Sequence, residues 1–412
     1  MRASLKRFVV VTTASIVAAL LAVAIASHTM PWAGQAPPAS PGSPPKAVKT
    51  ASTAVTTATS APAATTTATN TNVITTRSGG RVSTGVSRAE LFKPGGKPVT
   101  AREYVKLMGV GIDVDWLTFS RVRHYYFYWR SRGVNIPALF REKGFSNVRI
   151  RVGGDVTSNE TLLKMLKEVV QDCLRAGVIP IITYTADDLR NNPTSLKAQE
   201  HFVRWWVTVA ECFKGAPYAL SYDLLIESSG KIKDYPNILN KVYNETIAAI
   251  RKIDRYRILI VTPAHVSSPF YLKYLKVRWD PYMIAEWHIY AGGPTPLKRG
   301  GPYNETFIRE AVEAAVSWSR EHGIPTWVGA WRPVRLPKHG IKQHYPDGAP
   351  KGIYPMSVDI KFAKVMVEAL KSAGIPYDVN ADALYFNIKD LKWYPSQEPL
   401  LKVILQESDP RS

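Results

Sequence analysis

From about residue 96 onward, short runs rich in Val, Ile and Leu alternate with amphipathic stretches of ten to twenty residues. This alternation constrains the fold more than any other feature. Strands separated by helix-length crossovers pair in parallel and need cover on their faces. The spacing predicts strands at about 107–113, 147–153, 178–184, 220–226, 257–263, 282–289, 325–330 and 383–388. Helices are expected over Glu160–Ala176, Ser195–Phe213, Ile238–Ile253, Glu305–His322 and Val358–Ala373. Three helix ends run into a glycine just before the next apolar segment: Arg175-Ala176-Gly177, Glu321-His322-Gly323 and Ser372-Ala373-Gly374. Glycine takes the left-handed conformation that stops a helix. Eight such units in about 310 residues fit an α/β fold of the (β/α)8 TIM-barrel type better than an open doubly wound sheet. No Gly-rich phosphate loop follows the first strand, which counts against a nucleotide-binding sheet.

Upstream of the alternation the composition changes. Arg2, Lys6 and Arg7 precede an uncharged run from Phe8 to Ala26, and Ala24-Ile25-Ala26 offers the small-x-small pattern read by signal peptidases. Residues 1–26 are therefore expected to be a signal peptide, or a membrane anchor, since the run approaches the ~20 residues that span a bilayer. Residues 27–95, dominated by Ala, Thr, Pro, Ser and Gly for most of their length, are expected to form a disordered linker. Such a segment buries too little apolar surface to offset its ordering entropy. Residues 96–408 are left for the barrel. The expected protein is secreted, or tethered at the cell surface through its N-terminal segment.

Charge and cysteine content narrow the partners. The chain carries 53 Lys and Arg against 33 Asp and Glu, a net charge of +20. Eight of the basic groups fall in residues 1–88, which hold no acid, so the remainder keeps 45 basic against 33 acidic groups, or +12. An anionic surface, an acidic substrate or nucleic acid would each suit that excess. No nucleic-acid recognition motif is present, and no such partner is expected. Two cysteines exclude a disulfide scaffold or a four-thiolate zinc site. The histidines show no metal-binding spacing, so neither metal nor cofactor is expected. Cys173 and Cys212 lie near the ends of successive helices, and either a bridge or two buried thiols would suit an exported barrel. Asn159, Asn244 and Asn304 each open an Asn-Glu-Thr glycosylation triplet; Asn159 and Asn304 also stand where a helix would use Asn as its N-cap.

In a barrel of this type the chemistry sits at the C-terminal strand ends. The fourth predicted strand ends Tyr222-Asp223-Leu224-Leu225-Ile226-Glu227-Ser228-Ser229, and the sixth reads Ala285-Glu286-Trp287-His288-Ile289-Tyr290. The seventh reads Thr326-Trp327-Val328-Gly329-Ala330-Trp331, and the second carries Val148-Arg149-Ile150-Arg151. A carboxylate at one tip, an arginine low in another strand and a facing His-x-Tyr make a polar, aromatic cavity suited to a sugar. The basic aromatic run Arg121–Arg130 would stack sugar rings or pack as a helix. Trp279, Trp287, Trp331 and Trp393, near strand ends, are further candidate stackers, although a tryptophan so placed is more often a core residue.

These segments resemble glycoside hydrolase family 5, the cellulase and mannanase family of (β/α)8 barrels, over residues 100–405. Lys106–Phe119 is similar to the family's first strand and loop, and Gly144-Phe145-Ser146-Asn147-Val148-Arg149-Ile150 to its arginine-bearing second strand. Phe202–Phe213 and Tyr222–Glu227 are similar to the helix and strand that lead to the acid/base glutamate. His288-Ile289-Tyr290 matches the sixth-strand His-x-Tyr, and Ile324–Ala330 the stretch that ends in the nucleophile. The resemblance implies action on the O-glycosyl bonds of a β-linked polysaccharide such as β-glucan, cellulose or mannan. It implies Glu227 as general acid, with Arg149, His288 and Tyr290 at the sugar; Trp331 and Asp187 are further candidates for binding the polysaccharide or oligosaccharide.

Three departures qualify that expectation. Ile226 stands where the family has Asn before its glutamate, and Thr185-Ala186 where it has a His pair, with Asp187 beyond. Ala330 occupies the position of the nucleophilic glutamate. A retaining glycosidase needs two carboxyl groups ~5–5.5 Å apart, and a methyl group cannot attack carbon. Glu286 shares strand parity with His288 and Tyr290 and is the alternative second carboxylate, with Asp187 and Asp155 as further candidates. An inverting pair would need ~6.5–9.5 Å. Glu286 also reads as a buried partner of Arg149 or Arg151, and Asp187 as a loop or cap residue. Two readings stay open: a glycosidase with an altered site, and a non-catalytic polysaccharide-binding descendant.

Overall fold

A computed structural model of the chain describes residues 86–290, 305–337 and 340–406. Among these, eight parallel strands close into a barrel in chain order. They are β1 (Val110–Leu117), β2 (Asn147–Val152), β3 (Ile179–Tyr184), β4 (Ser221–Asp223), β5 (Ile258–Val261), β6 (Met283–Tyr290), β7 (Thr326–Arg332) and β8 (Tyr377–Val379). β8 pairs with β1 and completes the ring. Helices follow the strands and cover the outside, as expected for a (β/α)8 barrel.

The first seven strands fall where the alternation placed them, within a few residues, and the eighth does not. Instead of residues 383–388, the barrel closes with Tyr377–Val379, while Phe386–Asn387 pairs with Lys392–Trp393 in a separate antiparallel hairpin. The physical reason is the helix stop itself. Gly374 is left-handed at φ 66, its N–H closes the helix Met356–Ala373 on the carbonyls of Leu370 and Lys371, and the strand begins three residues later. The same arrangement follows Gly177 and Gly323.

Residues 86–95, expected as the end of a linker, fold against the barrel. A short helix, Arg88–Leu91, lies against the barrel, with Leu91 buried beside Ile179 and Ile258. The Arg88 guanidinium donates to the carbonyls of Leu107, Ser146 and Gly177, which gather near the N-terminal strand ends. One fork of donors satisfying three carbonyls orders a segment whose composition alone reads as a linker. The segments 1–26 and 27–85 lie outside the described residues. Among the described residues, no helix is long and apolar enough to cross a membrane.

Helix starts follow local rules. Asn159 accepts from the Leu162 N–H ahead of the helix Glu160–Arg175, and Ser195 caps Leu196–Cys212 through the Ala198 N–H. Asn304 lies outside the described residues, and Asn244 falls within the helix Pro236–Ile253, donating to the carbonyls of Asn240 and Lys276. The aromatic run folds as the helix Ser120–Arg130, in which only Tyr126 is fully buried. Cys173 and Cys212 are both free thiols.

Inside the barrel, the strand alternation separates two layers. Ile179, Ile181, Ile258, Ile260, Ile284 and Trp327 form an apolar layer toward the N-terminal ends. One step of two residues further along, several inward positions become charged: Asp223 after Ser221, and Glu286 and His288 after Ile284, with Arg149 and Arg151 both charged on β2.

Candidate active site

β4 is regular only over Ser221–Asp223, yet the chain beyond it stays tied to its neighbours. Leu224 N–H donates to the Ile260 carbonyl at 3.0 Å, and Ile226 N–H to the Tyr184 carbonyl at 3.1 Å. These bonds deliver Glu227 to the mouth of the barrel, where its side chain is 21% exposed. Ile226 itself is buried and contributes its carbonyl to Arg149.

Glu227 meets His288. The imidazole Nδ1 lies 3.3 Å from Glu227 Oε2, and on the other side of the ring Nε2 lies 2.6 Å from Glu286 Oε1. Burial pushes the His288 pKa down, but the Glu286 carboxylate and the hydrogen bonds to Glu227 and Glu286 override it and bring it to about 9. His288 is therefore an imidazolium at neutral pH and donates through both nitrogens.

Below the ring lies a fully buried ionic lattice. Arg149 Nη2 is 2.7 Å from Asp223 Oδ2 and 2.8 Å from Glu286 Oε1, and its Nη1 reaches Asp113 at 3.5 Å. The same guanidinium donates to the carbonyl of Gly329 at 3.2 Å. Arg151 adds Asp113 at 2.7 Å and Asp115 at 3.2 Å. Burial, only partly offset by Arg149, together with the adjoining Glu286 carboxylate holds Asp223 well above the usual carboxylate range. Arg149 touches protein groups throughout and has no exposed surface, so it braces the site from beneath.

The strand-seven side explains itself through register. An irregularity between Trp287 and His288 pairs His288 with Ala330 rather than with Gly329. Ala330 is 1% exposed. Gly329 has no room for a side chain, because a Cβ there would lie 1.7 Å from Glu286 Oε1. Glu286 thus packs against β7 immediately beside the Ala330 position. Glu227 and Glu286 are separated by one imidazole and two hydrogen bonds, no more than the upper end of the ~6.5–9.5 Å range of inverting pairs. Separation alone would allow that role, but accessibility decides against it. An inverting base must touch a water on the open face of the sugar, and Glu286 is 0% exposed and engaged by Arg149 and His288.

The other candidates separate. Tyr290 follows His288 into the mouth, its ring centroid 6.2 Å from the imidazole. Asp187 opens the short helix Asp187–Asn191, its side chain 74% exposed and paired with Arg190 at 3.2 Å. Asp155 accepts from Thr157 and Ser158 and contacts His201 at 3.0 Å, bonds that override its burial and hold its pKa well below the usual range. Trp331 does not reach the cleft: it is fully buried against Phe362 and Tyr377, because alternation beyond the β7 irregularity turns it to the outer face. Trp287 is also fully buried, Trp279 packs on Trp318, and Trp393 packs on Phe140 and Phe145. Among the described residues, no group of three or more His, Cys, Asp and Glu side chains is arranged to hold a metal ion.

Residues not anticipated from the sequence complete the site. Asp113 and Asp223 could have been found by extending the inward parity of Arg149 and Glu286 to the neighbouring strands. Ser228 could not. Its Oγ donates to the Pro263 carbonyl at 2.6 Å and accepts from the Ser267 N–H at 3.0 Å. Ser267 ends three consecutive left-handed residues, with His265, Val266 and Ser267 at φ 63, 60 and 56. Left-handed backbone costs roughly 1–2 kcal/mol per non-glycine residue. The residue after Glu227 is thus clasped by a strained loop, and nothing in Ala264-His265-Val266-Ser267 announces that conformation.

A closed eight-stranded barrel with an accessible carboxyl at the fourth strand, held by a sixth-strand imidazolium over a buried arginine, defines a glycosidase-type (β/α)8 barrel. The chain belongs to glycosyl hydrolase family 5, whose cellulase model matches residues 118–334. That span holds Glu227, Glu286, His288 and Ala330. A curated relative, endoglucanase H of Acetivibrio thermocellus, is 27% identical over 203 residues, covering 46% of this chain and 22% of the relative. The chain thus spans about a fifth of the length of that relative. Among solved structures, a hyperthermophilic endo-beta-1,4-glucanase in complex with substrate matches at a TM-score of 0.59 and 20% identity, over 75% of this chain and 100% of that one. Thermotoga maritima Cel5A in complex with mannotriose matches at 0.59 and 18% identity, over 73% and 99%. These two likenesses establish the fold.

Proposed function

We propose that this chain acts on the O-glycosyl bonds of a β-linked polysaccharide of the β-glucan or mannan class, with Glu227 as the proton donor to the glycosidic oxygen. The observation that carries this reading is the Glu227–His288–Glu286 chain. It offers one accessible carboxyl, oriented by a charged imidazole that is itself fixed by a buried carboxylate. General-acid catalysis requires a positioned carboxyl at the leaving oxygen. Family membership supports the substrate class, as do the endoglucanase relative and the substrate-bound structural neighbours.

Ala330 changes the second half of the reaction. Without a carboxylate on β7 no covalent glycosyl-enzyme forms there, and water must attack without a side-chain base at that position. Turnover is then orders of magnitude slower than in a barrel with both carboxyls. The deciding experiment incubates the full chain with β-1,4-glucan and with mannan and measures new reducing ends. Release that disappears in Glu227→Gln supports the reading; equal release by the variant overturns Glu227 as donor. Acceleration by added azide, which replaces the missing nucleophile, would show that Ala330 alone limits the rate.

A second reading, a non-catalytic polysaccharide binder, draws on the same Ala330 and on the burial of Glu286. It is the correct one if calorimetry detects cello- or manno-oligosaccharide binding while no reducing ends appear with or without azide. For either reading we propose export through residues 1–26, with residues 27–85 as a spacer. Intact-mass measurement of the protein recovered from culture medium and from membranes distinguishes a cleaved signal from an anchor.

A further inference from the structure

The last residue of β7 is Arg332, paired in register with Tyr290 and two positions beyond Ala330. Its guanidinium carbon lies 5.4 Å from the centroid of the Tyr290 ring. Every other inward-facing arginine of the barrel has carboxylates in contact: Arg149 has three and Arg151 has two. Arg332 forms no ion pair with any acid among the described residues, although it is largely enclosed. Burial pushes its pKa down; Tyr290 and Tyr385 oppose that push, Arg151 and Arg335 add to it, and the net shift is downward. A cation set among cations with no anion beside it is costly unless a ligand supplies the counter-charge.

Its position relates it to the reacting centre. The two charges that act most strongly on the Tyr290 hydroxyl are Glu227 and Arg332, so an acid and a cation flank the same ring. A sugar unit lying over Tyr290 with its glycosidic oxygen at Glu227 would present a ring substituent toward Arg332. A guanidinium is planar, stays charged, and matches a carboxylate with two parallel hydrogen bonds. Folded-domain charge agrees with an anionic ligand, since residues 89–412 carry 45 basic and 33 acidic groups.

We infer that Arg332 receives the carboxylate of a uronic-acid unit, so that the preferred ligand is an acidic β-linked glycan rather than a neutral one. This inference rests on the glycan-directed reading above. It assigns Arg332 a specificity role in binding, not a part in the bond-breaking step.

The test uses the full chain and three probes: a β-1,4-linked glucuronate tetramer, the methyl ester of that tetramer, and cellotetraose. Calorimetry at 50 mM NaCl should show the acid binding at least tenfold tighter than its ester, and the preference should shrink at 500 mM NaCl as the charge is screened. Arg332→Gln should bring the acid-to-ester ratio close to one, and Arg332→Lys should keep part of it, since the charge remains without the fork. If acid and ester bind alike while cellotetraose also binds, the inference fails and the glycan reading stands. If none of the three binds, the glycan reading falls and takes the inference with it. An Arg332→Gln protein that loses affinity for acid and ester equally, with the ratio unmoved, also overturns it. Should that variant not fold, the wild-type acid-to-ester comparison decides alone.

Discussion

The two layers inside the barrel are built on opposite principles. Toward the N-terminal ends, isoleucines from β3, β5 and β6 and the Trp327 ring fill the interior mostly with apolar volume, the Trp327 N–H donating to the buried Asp378 at 3.1 Å. Toward the C-terminal ends, Asp113, Arg149, Arg151, Asp223, Glu286 and His288 fill it with charge, every member of which depends on another. The lower layer stabilises by removing surface from water. The upper one recovers, through close ion pairs, a desolvation penalty that apolar side chains would not incur. A fold that needed only stability would continue the isoleucines upward. Charge is kept beneath Glu227 and His288, the groups proposed above to act on the glycan.

The largest test of this contrast removes one member from each layer. Arg149→Met leaves Asp223, Glu286 and Asp113 without their shared cation and should cost about 3–5 kcal/mol at neutral pH. Ile260→Ala should cost about 2–5 kcal/mol by opening a cavity. Urea titrations at pH 7 and pH 4 separate the two. The Arg149 loss should shrink at pH 4, where the stranded carboxylates can protonate, while the Ile260 loss should stay constant. Equal pH dependence would mean the layers do not differ as described.

A slightly smaller effect follows from titration. The folded pKa of His288, about 9, lies above its ordinary 6.5. Its contribution is therefore complete below pH 6.5 and is lost as pH rises through 9, amounting to about 3 kcal/mol. Asp359, raised to about 7 by burial, and Asp382, raised to about 8 by burial and by Asp115, act in the same direction, since ionising either one costs stability. Thermal melts should fall from pH 6 to pH 9.5, and His288→Gln should flatten the upper part of that fall. Stability rising across this interval would sink the assignment.

Next in size is Gly329→Ala. The new Cβ would meet Glu286 Oε1 at 1.7 Å and must displace a carboxylate that holds both Arg149 and His288. A cost of about 1–3 kcal/mol is expected. NMR titration should also show the His288 pKa moving from 9 toward 6.5. A stable variant with an unmoved imidazole would show that Glu286 is less tightly placed than its contacts imply.

Legibility in the sequence divides along the same line as the layers. The lower layer and the helices were readable because apolar periodicity and helix-stop glycines are local signals. The eighth strand obeys the glycine stop at Gly374, while the more apolar run Ala383–Ile388 lies outside the barrel. The family motifs single out Glu227, His288 and Tyr290, and barrel closure brings these three side chains together at the mouth. The Arg149–Asp223–Glu286 pairing joins three strands, and only closure of the barrel brings those residues together. Nearness to a strand end makes Trp331 a candidate stacker, but it does not say which side of the strand the ring faces; the ring packs outward on Phe362 and Tyr377. Arg332 carried no motif, and its isolation from carboxylates is a property of three-dimensional neighbours.

The smallest effect concerns the clasp beside Glu227. Ser228 gives one hydrogen bond to the Pro263 carbonyl and takes one from the Ser267 N–H, holding His265, Val266 and Ser267 in left-handed backbone that none of them favours. Ser228→Ala removes both bonds and should cost about 1 kcal/mol of global stability. The local effect should be larger than the global one, because strained backbone relaxes when its restraint is removed. Amide exchange at residues 265–267 should therefore accelerate tenfold or more, while the isoleucines of β3 and β5 keep their protection. Uniform acceleration across both layers would make Ser228 an ordinary core contact. Confined acceleration would show that the charged layer is held in place partly by backbone strain, a device for which the apolar layer has no need.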